Sequence, residues 1–343
     1  MEGGTRMARG VSWGVLSTAK IGTEKVIPAM QRSALSRIDA IASRDIARGR
    51  QVAERLGIPK VYGSYEELLA DPAIEAAYNP LPNHLHVPWT IQAMEAGKHV
   101  LCEKPIALSA AEAAELIEAR ERTGRHIAEA FMVRHHPQWQ MAREIARSGR
   151  LGEVRAIQTF FSYYLTDPSN IRNQADIGGG GLYDIGCYAI LTARYIFGAE
   201  PVRAVGLMER DPALRTDRLT SGLVEFPGGR QLTFVCSTQL VPHQRVQIVG
   251  TQGRMEVQIP FNPRPDAATR VLVDDGHDLT GSGITVEEIP PGDQYTFQGD
   301  EFSRVVLGEK QPDWPLEDAV ANMRVIDAIF RSVASERWET VER

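Results

Sequence analysis

The chain has 343 residues, 43% hydrophobic and 24% charged, an ordinary globular composition and too long for one core. Its 38 basic and 44 acidic side chains leave a formal charge of −6, so nothing global draws it to nucleic acid or an anionic membrane. No apolar stretch is long enough to span a bilayer, and Cys102, Cys187 and Cys236 lack CxxC spacing, which reads as reduced thiols in a cytoplasmic protein.

Residues 1–10 contain glycine and arginine without the apolar run of a signal peptide and read as a flexible lead-in. From residue 11 to about 130, short apolar runs alternate with helical patterns. Strands are expected at 12–16, 37–42, 61–62, 75–79, 99–102 and 126–130. Helices are expected at 45–56, stopped by Gly57, and at 109–122, stopped by Gly124. This alternation argues for an α/β fold with a parallel, doubly wound sheet. After about residue 150 the pattern changes to strands at 153–164, 202–208, 220–226, 231–240, 245–249 and 254–259. Hairpin connections at 226–230 and 250–253 make that an antiparallel sheet. Helices near 297–307 and 316–335 close the chain.

The turn after the first strand, Ser17-Thr18-Ala19-Lys20-Ile21-Gly22, stands where a dinucleotide fingerprint belongs. Aligned to G-x-G-x-x-G it offers Ser17, Ala19 and Gly22. Small side chains keep the turn tight and let backbone N–H groups approach a pyrophosphate, although a plain strand-to-helix turn fits the letters as well. The second strand ends at Ser43-Arg44, where NAD enzymes carry an acid for the ribose 2′-OH. A hydroxyl and a guanidinium suit a 2′-phosphate, which favours NADP, with NAD as the alternative. The competing reading makes Arg44 a solvated residue before a helix capped by Asp45.

Pro105 stops the apolar run His99-Val100-Leu101-Cys102, so Lys104 is delivered at the carboxyl end of a strand, where open parallel sheets place ligands. A loop lysine is the ordinary reading of that position. In a second segment, four glycines (178–181) precede Asp184 and Tyr188, whose i,i+4 spacing puts them on one helix face. A phenol with a pKa of about 10 is a poor base at neutral pH, and a neighbouring lysine cation lowers it. Lys104, Asp184 and Tyr188 therefore form a sensible proton-transfer set for alcohol oxidation beside a nicotinamide. His84-x-His86 and His135-His136 lack the spacing of helical zinc ligands, so no metal site is expected.

Three segments in order resemble the Gfo/Idh/MocA oxidoreductases: Asn79-Pro80-Leu81-Pro82-Asn83-His84-Leu85-His86, residues 96–105 around Glu103-Lys104-Pro105, and the glycine-preceded Asp184-x-x-x-Tyr188. The resemblance runs over roughly residues 11–335. Tyr188, where most members have histidine, resembles the branch of glucose–fructose oxidoreductase, NADP-dependent D-xylose dehydrogenase and dimeric dihydrodiol dehydrogenase. Residues 129–138 and 167–172 look most like the xylose dehydrogenase-like members.

The resemblance implies a Rossmann dinucleotide-binding domain over residues 11–132. Over 133–343 it implies an α+β domain for substrate and dimerisation, with an open, mostly antiparallel sheet. Ser17, Thr18, Ala19, Lys20, Ile21, Ser43, Arg44, Pro80, Pro82, Asn83, His86 and Glu103 would lie along the cofactor. Lys104 would contact the nicotinamide ribose and the reacting hydroxyl, Tyr188 would accept the hydroxyl proton, and Asp184 would orient substrate or lysine. Arg134, Tyr163, Asn170 and Arg172 would line a sugar pocket, and the Lys104–Pro105 bond would be cis.

The implied function is an NADP-dependent oxidoreductase acting at a sugar or cyclic polyol hydroxyl or carbonyl, xylose dehydrogenase-like, as a homodimer or higher homo-oligomer. One alternative is trans-dihydrodiol dehydrogenase, for which Phe131, Trp139, Phe161, Tyr163 and Tyr164 would suit a flat apolar ring. The other is a non-catalytic NAD(P)-binding regulator, against which the intact Lys104, Asp184 and Tyr188 argue.

Overall fold

The computed structural model describes residues 10–342, so the expected lead-in lies outside the described residues except for Gly10. Gly10 is buried, and a Cβ there would come within 2.9 Å of the Ala34 carbonyl. It belongs to the fold.

The chain forms two compact units. The first holds residues up to Ile106, Glu112–Met132 and Asp293–Glu317; the second holds Ala107–Ala111, Val133–Gly292 and Asp318–Arg343. The chain passes from the first unit to the second at Met132/Val133 and returns to the first over Asp293–Glu317. Asp293–Glu317 returns to the first unit because its helix finds partners there. Trp13 Nε1 donates to Ser303 Oγ at 3.4 Å, the Ser36 and Ser303 hydroxyls meet at 3.0 Å, and the Phe302 ring lies 5.5 Å from that of Trp13.

The first half of the chain alternates β1 (Val11–Leu16), α1 (Ile27–Met30), β2 (Ser36–Ala42), α2 (Ile46–Leu56), β3 (Lys60–Tyr62) and α3 (Tyr65–Ala70). It continues with β4 (Ala76–Asn79), α4 (His86–Glu95), β5 (His99–Cys102), α5 (Ala110–Thr123) and β6 (Ile127–Glu129). The strands lie in the order β3-β2-β1-β4-β5-β6 and pair in parallel. Every residue of β1 and β4 is buried, as strands covered on both faces require. Helix α2 shows the local logic: the Asp45 side chain accepts from Arg48 N at its start, and Gly57 at φ 66° ends it. The strand order reverses between β1 and β4, which sets a ligand crevice at their carboxyl ends.

The second unit carries α6 (Pro137–Arg147), β7 (Val154–Tyr164), α7 (Cys187–Phe197), β8 (Arg203–Arg210), β9 (Asp217–Phe226), β10 (Arg230–Ser237) and β11 (Gln239–Gly250). Then come β12 (Arg254–Val257), β13 (Thr269–Asp274), β14 (Ile284–Ile289) and β15 (Glu339–Thr340). Helix α8 (Gln294–Val306) belongs to the first unit, and α9 (Leu316–Ser335) closes the chain. The nine-stranded sheet has the order β14-β13-β12-β11-β7-β10-β9-β8-β15, with only the β7–β10 pair parallel.

That parallel pair explains a difference from expectation. The strand expected at 231–240 is divided at Thr238, and the one expected at 245–249 is the far part of β11. After running parallel to β7, the chain must cross its end to return antiparallel on the other edge. Ser237 staples the crossing by donating to the Arg218 carbonyl (2.6 Å) and accepting from Gln239 N (3.1 Å). No helix of the described residues is long and apolar enough to cross a membrane, and the three cysteines are free and buried.

Candidate active site

In the first unit, Ser17 adopts φ 99° at the end of β1, a left-handed position where a glycine would be unstrained. Its Oγ accepts from Ala19 N at 3.2 Å, and its own N–H reaches the Ala42 carbonyl at 2.9 Å. Those bonds hold the conformation. Thr18 is buried, while Lys20 is exposed and 3.9 Å from Glu24. Ile21 packs on the core. The helix that follows contains a π-wound turn, Gly22–Val26, a feature frequent at functional sites. A Cβ on Gly22 would meet the Tyr78 ring at 3.4 Å and Pro80 at 3.7 Å.

At the end of β2, Ser43 is buried and its Oγ accepts from Asp45 N at 3.2 Å. Asp45 caps α2, and Arg44 is exposed. Arg48, which the sequence reading passed over, reaches the Thr18 carbonyl at 3.5 Å. A tight left-handed turn at the end of β1, an exposed guanidinium after β2 and a crevice at the strand-order reversal fit a dinucleotide.

Beyond β4, Pro80 is buried and Pro82 leads into a short turn, Asn83–Leu85. His86 is wholly buried, its ring nitrogens 2.7 Å from the Pro105 and Leu81 carbonyls. Burial pulls its pKa down to about 4. The His86 ring ties the loop after β4 to Pro105, with both nitrogens at backbone carbonyls. The Lys104–Pro105 bond is cis. Tyr78, fully buried, donates to Glu103 Oε1 at 2.6 Å, so the residue preceding Lys104 is anchored from β4.

In the second unit the glycine run accommodates the protein's own chain. A Cβ on Gly179 would come 2.6 Å from the Arg172 carbonyl, and one on Gly180, at φ 126°, would fall on the Asp217 carboxylate. A π-wound turn, Leu182–Gly186, then precedes α7. Asp184 sits in that wider turn, so the α-helical i,i+4 geometry assumed for Asp184 and Tyr188 is corrected.

Asp184 brings two expected residues together. Its Oδ2 accepts from Tyr163 Oη at 2.6 Å, and its Oδ1 lies 3.1 Å from Arg172 Nε. Burial, reinforced by the Asp184 charge, raises the Tyr163 pKa. The Asn170 side chain accepts from Arg172 N and caps the turn Ile171–Asn173. Tyr188 is 5% exposed, with its ring edge-on to Phe161 (6.0 Å) and tilted against Phe261 (5.3 Å). Arg134 is held in a different cluster, ion-paired with Asp318, which also accepts from Arg194 at 2.8 Å.

Asp217 was not expected. Its Oδ2 accepts from Leu182 N at 2.7 Å and Thr220 Oγ1 at 3.0 Å, satisfying a backbone donor at the start of the helix that carries Asp184 and Tyr188. Burial pushes its pKa up to about 6. Tyr183 likewise ties that helix to the Leu108 carbonyl at 2.6 Å. Neither contact leaves a local sequence signal, since Asp217 lies 35 residues from Leu182 and Tyr183 lies 75 from Leu108.

The oxidoreductase family model with an NAD-binding Rossmann fold matches residues 11–131, and the GFO/IDH/MocA C-terminal domain model matches residues 139–256. The chain belongs to the Gfo/Idh/MocA oxidoreductase family. It is 49% identical over 331 residues to an uncharacterized oxidoreductase of Rhizobium meliloti, covering 96% of this chain and 99% of that one. It is 39% identical over 322 residues to D-xylose 1-dehydrogenase (NADP(+)) 2 of Haloferax volcanii, covering 93% and 96%. A crystal structure of a 3-ketoreductase from Actinomadura kijaniata, in complex with NADP and TDP-benzene, matches with a TM-score of 0.88 and 28% identity, covering 94% of this chain and 98% of that one. This Gfo/Idh/MocA member is thus an oxidoreductase with an NAD(P)-binding fold.

Proposed function

We propose that the protein is an NADP-dependent dehydrogenase or reductase of a sugar or cyclic polyol, with Lys104, Tyr188 and Asp184 as its catalytic residues. The observation that carries the assignment is the contrast between two tyrosines. The Tyr163 proton is held by Asp184, which keeps that phenol from acting as a base, so proton transfer falls to Tyr188. The likeness to a xylose dehydrogenase named for NADP(+), and to a ketoreductase in complex with NADP, supports the substrate class and cofactor.

The nicotinamide, when bound, supplies the hydride acceptor or donor. Lys104 supplies the cation of the proposed set. Tyr188 Oη takes the hydroxyl proton in oxidation and returns it in reduction. Asp184, with Arg172 and Tyr163 fixing its carboxylate, orients sugar hydroxyls together with Asn170. Residues 17–21 hold the pyrophosphate through backbone N–H groups, and Arg44 meets the 2′-phosphate. Pro80, Pro82, Asn83 and Glu103 border the cofactor.

The exposed Leu207 and a groove of about 610 Å³ across the second unit's sheet, lined by Phe160, Leu223 and Phe234 among others, support a homo-oligomer formed through that sheet. We place the enzyme in the cytoplasm. A second reading, trans-dihydrodiol dehydrogenase, is favoured by the Phe161, Phe261 and Tyr188 rings, which would suit a flat apolar substrate.

A panel of pentoses, hexoses and a trans-dihydrodiol, assayed with NADP⁺ and NAD⁺ through absorbance of the reduced cofactor, tests the proposal. Turnover of sugars with NADP⁺ is expected. Turnover of the dihydrodiol alone would select the second reading. Cofactor binding with no turnover of any alcohol or carbonyl would make the protein a regulator.

A further inference from the structure

Asp217 is the first residue of β9, an inner strand of the nine-stranded sheet, and is 1% exposed. A carboxylate so deeply buried is unfavourable unless hydrogen bonds satisfy it. Its Oδ2 accepts from Thr220 Oγ1 at 3.0 Å, on the same strand, and from Leu182 N at 2.7 Å. The second bond ties the sheet to the start of the segment that carries Asp184.

The chain entering that segment is shaped around the same carboxylate. A Cβ on Gly180 would fall on Asp217 Oδ1, and one on Gly181 would lie 3.3 Å from Oδ2. Gly180 is also the middle of a backbone bridge. Its N–H donates to the Arg172 carbonyl at 2.9 Å, and its own carbonyl accepts from Asp184 N at 3.0 Å. The side chains at the two ends of that bridge, Arg172 Nε and Asp184 Oδ1, meet at 3.1 Å. One glycine thus joins both partners of the ion pair through the main chain. Asp217 seats that glycine by close packing and by its bond to Leu182, two residues on. The arginine of the pair is 38% exposed, and an ion pair open to solvent holds its own geometry only weakly. Its fixed spacing comes from the backbone that bears both side chains.

We infer that Asp217 is a positioning residue for the substrate site, setting the spacing of Arg172 and Asp184 by seating Gly180 and Leu182. This rests on the proposed role of that pair toward sugar hydroxyls.

The test compares the full chain as wild type, Asp217→Ala, Asp217→Asn, Arg172→Ala and the double variant with alanine at both positions. Residue-resolved amide hydrogen exchange reads the bridge. KM for D-xylose with NADP⁺, beside direct NADP⁺ binding, reads the site. Alanine removes the acceptor, whereas asparagine keeps an oxygen of the same reach. In Asp217→Ala the Leu182 and Asp184 amides should exchange at least about tenfold faster, the size of one lost charge-assisted hydrogen bond. KM for D-xylose should rise about five- to tenfold, with NADP⁺ affinity changed less than about twofold. Asp217→Asn should recover most of both effects. The double variant should have the KM of Arg172→Ala alone, because both changes undo the same pair. Should Asp217→Ala fail to fold, Asp217→Ser, polar but one atom shorter, carries the same expectations. Unchanged exchange at Leu182, faster exchange with unchanged KM, equal weakening of D-xylose and NADP⁺, or losses that simply add would each overturn the inference. If the wild type turns over neither D-xylose nor any other sugar of the panel, the sugar reading fails, and the exchange measurement alone then decides whether Asp217 seats the bridge.

Discussion

The phenol of Tyr163 donates its proton to Asp184 Oδ2 at 2.6 Å, while Arg172 Nε holds the other carboxylate oxygen at 3.1 Å. Asp184 is thus a fixed, counter-charged acceptor. The same contact sets Tyr163 apart from Tyr188, because the Tyr163 proton is held by a carboxylate.

Tyr188→Phe should lower kcat by about 10²–10⁴, the usual contribution of a general acid–base, with cofactor affinity retained. Its kcat profile should lose the limb that depends on the base. Tyr163→Phe should keep that limb and lower kcat far less. Lys104→Ala should collapse turnover while cofactor still binds; wild-type-like turnover in that variant would remove Lys104 from the mechanism. Steady-state kinetics across pH distinguish these outcomes.

Arg172→Ala takes the counter-charge from Asp184 and leaves the Tyr163 bond in place. The expected result is a higher KM for the sugar, of about tenfold or more, with a smaller change in kcat. Arg172→Lys should recover part of the loss, since it restores the charge without the planar fork. Unchanged KM in both variants would exclude Arg172 from the substrate pocket.

Asp217 should leave its mark on stability as a function of pH. Its pKa of about 6 lies above the ordinary carboxylate value, so the folded protein binds this proton more readily than the unfolded chain. Stability from this group is therefore greatest below the ordinary carboxylate range and falls as pH rises toward 6. A shift of about two units corresponds to roughly 3 kcal/mol by pH 7. Asp217→Asn does not titrate, so its stability relative to wild type should improve by that order between pH 4 and 7. Denaturant unfolding at several pH values measures it, and a pH-independent difference would refute the assignment.

Gly180→Ala should be among the more damaging single substitutions in the chain. The backbone is at φ 126°, and the new Cβ would fall on a carboxylate that is already engaged with Leu182 N. A loss of at least about 2–3 kcal/mol is expected, from backbone strain plus displacement of a buried acid. Gly228→Ala, at φ 77° with nothing within 4 Å of its Cβ, isolates the backbone contribution and should cost less.

Much of the first unit was legible because its signals are local. Asp45 and Gly57 bracket α2 through a cap and a left-handed stop, and β5 ends where Pro105 interrupts it. Lys104 and Tyr188 stood out for the same reason, each in a short segment of unusual composition. Strands β13 and β14, the last two at one end of the larger sheet, were not legible. They are short, and most of β14 is exposed, so no two-residue hydrophobic alternation marks it.

By itself, then, the sequence determined the two-part organisation, the parallel sheet and the cis-capable Lys104–Pro105 turn. All of these follow from periodicity, chain stops and side-chain chemistry over a few residues. The tertiary structure decided that α8 returns to the first unit, that His86 is a buried tie, that the glycine run makes room for Asp217 and that Tyr163 and Arg172 share Asp184. Each of these depends on which distant group satisfies a buried polar atom or occupies the space beside a Cα. Packing makes that choice among many partners of equal local merit.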